Sequence, residues 1–159
     1  MTDALAQEVA YPYKKDKSIV RVKEFYNGYG KIFDLKADNN LLPTYTKSTF
    51  LVETGDILIA EKLMSEKFTN LIKSDERIKS LTGKTYKQEY SNFYRQYVGL
   101  KNNEGDKMVY IHMIKCCKKS IRKCFPDWEK VLGNPLDEDP CTITSSYVVN
   151  LSQKTISVY

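Results

Sequence analysis

His112 is the single histidine of the chain, and Cys116 stands four residues after it. On a helix that spacing puts an imidazole and a thiol on one face, where they could begin a metal site or a nucleophile–base pair. A zinc site needs two more ligands converging on the same point. Cys117 and Cys124 would turn away from that face, Cys141 lies in a distant segment, and the spacing matches no ligand pattern. Buried reduced thiols on an apolar face account for the four cysteines more simply, and no metal or other cofactor is expected.

Two other motifs fail on spacing. Gly83-Lys84-Thr85 ends like a phosphate-binding loop, but Ile78 occupies the position of the first glycine such a loop requires. Asp137, Glu138 and Asp139 are adjacent in a proline-flanked stretch, without the twelve-residue spacing of a calcium loop, and read as a solvated acidic loop. No pair of carboxylates is set up as general acid and base. The chain is therefore not expected to be an enzyme.

The cations are better organised. The net charge is only +5, yet six Lys or Arg lie between Lys107 and Lys123 with no acid among them. Read as a helix over 106–124, capped by Asp106 and stopped by Pro126, the segment puts Tyr110, Met113, Ile114, Cys117, Ile121 and Cys124 on one side. Lys115, Lys118, Lys119, Arg122 and Lys123 then form an opposite basic face, the candidate anion- or partner-binding residues. A strand is the competing reading, because the segment opens Met-Val-Tyr-Ile-His-Met-Ile.

The elements that must position these residues suggest a single α+β domain over 18–159, preceded by an extended arm over 1–17. Asn27-Gly28, between β-branched and aromatic runs, predicts an N-terminal hairpin over 18–35, and a third strand is expected within 45–53. From Thr54 the period becomes helical, with Ile57, Ala60, Glu61, Met64, Phe68, Leu71 and Ile72 in one stripe. A short second helix ends near Gly83. A third over 84–100 is striped by Tyr86, Tyr90, Phe93, Tyr94 and Tyr97, a packing surface rather than a stacking platform for bases. Pro126 to Gly133 reads as a short capped helix. Alternation from Ile143 to Leu151, and then at Ile156 and Val158, predicts a C-terminal hairpin. About four central helices thus lie between two hairpins.

With no catalytic constellation and twelve tyrosines, the expected function is that of a non-enzymatic structural or interaction protein. Its partners would be other protein chains, in a homo-oligomer or multi-protein assembly. A Lys-, Asn- and Tyr-rich composition would suit a phage or viral particle component such as a head–tail connector. Nucleic-acid binding through the basic helix is the alternative. No apolar run reaches the roughly 18 residues of a membrane span, and the first residues lack a signal-peptide pattern. A chain that is cytoplasmic, or assembled into a particle inside a cell, is expected, with no membrane partner.

Overall fold

The computed structural model describes residues 9–10, 16–74, 90–116, 121–133 and 143–159. Its architecture is a mixed sheet carrying one long helix, not an α+β fold with about four central helices. The strands are β1 (Val9–Ala10), β2 (Ile19–Val22), β3 (Gly30–Ile32), β4 (Ser48–Phe50), β5 (Tyr94–Lys101), β6 (Lys107–Lys115), β7 (Ile143–Asn150) and β8 (Thr155–Val158). The helices among the described residues are α1 (Thr54–Ser74) and the four-residue α2 (Ile121–Cys124). The strand order is β1-β2-β3-β5-β6-β7-β8. β4 joins the C-terminal half of β5, on the edge whose N-terminal half takes β3 in parallel.

β5 and β6 are the centre of the molecule, and they put strand over 94–100 and 107–115, where helices were expected over 84–100 and 106–124. Residues 84–89 and 117–120 of those ranges lie outside the described residues. Both strands are buried along nearly their whole length. The register Arg95↔Met113, Tyr97↔Ile111, Gly99↔Val109 places these residues on one face, continued on β7 by Ser145, Tyr147 and Val149. That face carries α1, through Ile57, Ala60, Met64 and Phe68. The opposite face presents Val98, Leu100, Met108, Tyr110 and Val148 to Phe33, Leu42 and Leu132, while Ile114 meets Ile121, Phe125 and Trp128. A strand covered on both sides loses the polar alternation that identifies a half-buried one. The spacing of its apolar residues then imitates a helix.

The remaining differences are local. β2 and β3 do form an antiparallel pair, but the register Ile19↔Lys31 and Val20↔Gly30 centres the connection on Phe25 rather than on Asn27-Gly28. A Cβ on Gly28 would stand 3.0 Å from the Tyr94 ring, so any side chain there would press on that ring. Residues 126–130 form turns instead of a helix, ended by Gly133 at a φ of 110°. Two residues of the N-terminal arm are strand, Val9↔Val22 and Ala10↔Arg21. The short helix expected to end near Gly83 lies outside the described residues.

α1 begins where the sequence signals it. The Glu53 carbonyl accepts the amide of Ile57 as the first helical bond, and the Asp56 carboxylate accepts the amide of Glu53 at 3.1 Å, one half of a capping box. Asp56 also receives Lys107 Nζ at 2.9 Å, pinning the start of α1 to the start of β6. Across the other face, Gln96 clasps the 128–133 segment. Its amide donates to the carbonyls of Trp128 (2.7 Å) and Val131 (2.8 Å), and its oxygen accepts the amide of Gly133 (3.0 Å).

Candidate interaction site

The residues singled out for chemistry are dispersed by the strand. His112 lies within β6, where four residues span about 13 Å, so it is not brought beside Cys116 as it would be on a helix. Its Nδ1 instead lies 2.6 Å from Ser146 Oγ on β7, and Tyr110 donates to the same hydroxyl at 3.0 Å. Cys116 is joined to Cys124 by a disulfide, which corrects the expectation of reduced thiols for these two cysteines. Cys117 and Cys141 lie outside the described residues, as do Gly83, Lys84 and Asp137 to Asp139. Among the described residues no group of three or more His, Cys, Asp or Glu could hold a metal ion.

The basic residues do not share one helical face. Lys115 closes β6 and is half-buried, whereas Arg122 and Lys123 are exposed on α2. Arg122 Nη2 pairs with Glu129 Oε1 at 2.9 Å. Lys118 and Lys119 lie outside the described residues.

The densest chemistry in the molecule is a polar cluster closed inside the core. Glu61 enters from α1 and Arg95 from β5, and neither side chain has any exposure. Arg95 donates from Nε to Glu61 Oε1 (3.1 Å), from Nη1 to the Phe93 carbonyl and from Nη2 to the Tyr90 carbonyl (2.9 Å). The Tyr90 and Tyr97 hydroxyls donate to the two Glu61 oxygens, and the Tyr26 hydroxyl lies 3.1 Å from that of Tyr97. The guanidinium lies 4.1 Å from the centre of the Tyr26 ring and 4.6 Å from that of Tyr90.

Burial, and next the Glu61 charge, push all three tyrosine hydroxyls well above their ordinary value. Burial opposes the Arg95 charge, but Glu61 and the three hydroxyls more than offset it, keeping the guanidinium protonated. Each charge is thus consumed by fixed neighbours in a solvent-free space. The arrangement locks α1 onto the sheet and offers nothing for a substrate to approach. Glu61 within an otherwise apolar helical stripe was the sequence signal for it. Arg95 and Gln96, placed on an expected helix, gave none.

What the fold leaves accessible is an edge. β8 pairs with β7 through Tyr147↔Val158, Val148↔Ser157, Val149↔Ile156 and Asn150↔Thr155. Among the described residues no strand lies beyond it. The Tyr159 amide donates to the Ser146 carbonyl at 2.9 Å, so alternate residues 155, 157 and 159 turn their backbone groups toward β7. The amides and carbonyls of Ile156 and Val158 therefore face outward. Val158 and Tyr159 are 48% and 49% exposed, and Thr155 to Tyr159 contains no charged residue. Natural sheets usually blunt such an edge with lysine, proline or a bulge.

Comparison with family models, with curated proteins and with solved structures yields no match. No helix among the described residues is long and apolar enough to cross a membrane.

Proposed function

We propose that the chain is a non-enzymatic interaction protein, a subunit of a larger assembly that it joins by adding a strand at β8. The observation that supports this reading is the open, uncharged edge formed by Ile156 and Val158, next to two half-exposed side chains. Strand addition uses such backbone groups for affinity and alternate side chains for specificity. A second copy of this chain is the partner that best fits. Antiparallel pairing of two β8 strands about a twofold axis brings no like charges together, since Thr155 to Tyr159 has none. A particle of phage or viral type, such as one with a head–tail connector, is the concrete form that composition supports. The nucleic-acid alternative has no such support, because its basic helical face is interrupted by β6.

Light scattering across a concentration series tests the proposal. The native chain should associate, and Val158→Pro should not. Proline at 158 removes an outward amide without breaking a ladder bond, so the fold should persist. Association unchanged by Val158→Pro would place the contact elsewhere.

A further inference from the structure

A cleft lies on the face of the sheet turned away from α1, where Tyr45 and the 102–105 turn meet β7 and β8. Its volume is about 360 Å³, at the small end of the range for ligand sites. Met108 and Val148, both buried, give it an apolar base. Tyr45 lines it with a ring that is 43% exposed, and its hydroxyl hydrogen-bonds with the Ser157 side chain. The rest of the lining is polar: the amides of Asn102, Asn103 and Asn150, the Glu104 carboxylate and the Thr155 hydroxyl.

Two of the three amides are held in place by the protein itself. Asp106 Oδ2 accepts Asn102 Nδ2 at 3.4 Å and Asn150 Nδ2 at 3.0 Å. The oxygens of the same two side chains accept the backbone amides of Asp106 and Gln153, each at 2.9 Å. A carboxamide carries two N–H donors, so each asparagine has one beyond its bond to Asp106. Groups fixed in this way lose little freedom when a ligand arrives. Asn103, Glu104 and Thr155 are exposed side chains on the same cleft. The lining holds one carboxylate and no cation, which disfavours a phosphate or carboxylate ligand. What remains is a set of closely spaced donors and acceptors beside one aromatic ring and an apolar base. The ligand that matches it carries several hydroxyls, each both donor and acceptor, on a ring with an apolar C–H face. We infer that the cleft binds a neutral sugar, one pyranose ring seated against Tyr45 and hydrogen-bonded to Asn103, Glu104 and Thr155. The site uses the face of β8 and not its open edge, so it stands independently of strand addition.

The test is titration of the full-length chain with the methyl glycosides of glucose, galactose, mannose and N-acetylglucosamine. Binding is read by calorimetry and by saturation transfer from the protein to the sugar C–H protons. At least one glycoside should bind saturably, with a dissociation constant on the order of 1 mM for a ligand of this size. Asn103→Ala and Glu104→Ala change exposed positions of a turn and should each weaken that sugar by roughly fivefold to tenfold, the loss of one hydrogen bond. Tyr45→Ala should weaken it at least as much, whereas Tyr45→Phe, which keeps the ring, should stay within about threefold of the native chain. If Tyr45→Ala does not fold, the two turn variants carry the comparison. No saturable binding of any of the four glycosides up to about 50 mM, far beyond the expected range, would overturn the assignment. Choline binding more tightly than every glycoside would overturn it by making the cleft a cation site. Tri-alanine binding more tightly than every glycoside would overturn it by making the cleft a peptide site. Glycoside affinity unchanged in both Asn103→Ala and Glu104→Ala would overturn it by placing the sugar elsewhere.

Discussion

Arg95 Nε donates to Glu61 Oε1 at 3.1 Å, and this one contact ties the only long helix among the described residues to the central strand of the sheet. Both side chains are fully buried, so each charge depends on the other and on the tyrosines around them. Removing either partner leaves an uncompensated charge in the core. Glu61→Ala or Arg95→Ala should cost about 3–5 kcal/mol in urea denaturation. Replacing both together with apolar residues of similar volume, as in Glu61→Leu with Arg95→Met, should cost less than the sum of the two single changes. Additive losses would show that the pair does not act as a unit.

The same cluster fixes the response to alkali. In the unfolded chain Tyr26, Tyr90 and Tyr97 ionise near the ordinary value of 10, and in the fold all three are held higher. A raised folded-state pKa means that the unfolded chain releases its protons first. The stability these tyrosines contribute is therefore complete below pH 10 and falls progressively above it. Denaturation midpoints should be insensitive to these groups around neutrality and fall steeply on the alkaline side. Tyr97→Phe should lower stability at neutral pH and flatten the alkaline decline. A decline equally steep in Tyr97→Phe would assign the alkaline sensitivity to other groups.

The Cys116–Cys124 disulfide joins the end of β6 to α2, whose Ile121 packs with Phe125 and Trp128 against Ile114. Closing this short loop should stabilise the fold by about 2–3 kcal/mol, chiefly by restricting the unfolded chain. Mild reduction, or Cys124→Ser, should lower the thermal midpoint and shift Trp128 fluorescence toward that of a more exposed indole. The sheet signature in circular dichroism should stay, because none of its ladder bonds passes through the disulfide. An unchanged midpoint after complete reduction would count against a stabilising role.

Legibility in the sequence followed burial. The start of α1 was readable because a one-sided apolar stripe begins there, and the β7–β8 hairpin because its strands alternate. β5 and β6 were misread for one physical cause. With α1 on one face and residues 33–42 and 121–133 on the other, these strands have no polar side to reveal their period. Tyr110, Ile114 and Ile121 are buried as a core stripe would be, but the first two reach the core from a strand and the third from a separate short helix. Arg95 and Gln96 were invisible as core residues, since a charge and an amide go inside only when partners from distant segments meet them. The β8 edge was legible only as a strand. That its outer side is open follows from strand order, which periodicity does not encode.

Residue-resolved hydrogen exchange of the β8 amides at low and high protein concentration tests the central claim most directly. Ser157 and Tyr159, turned toward β7, should be protected at both concentrations. Ile156 and Val158 should exchange freely in the dilute chain and become protected as it associates. Ile156 and Val158 amides that still exchange freely in the associated form would contradict strand addition at β8.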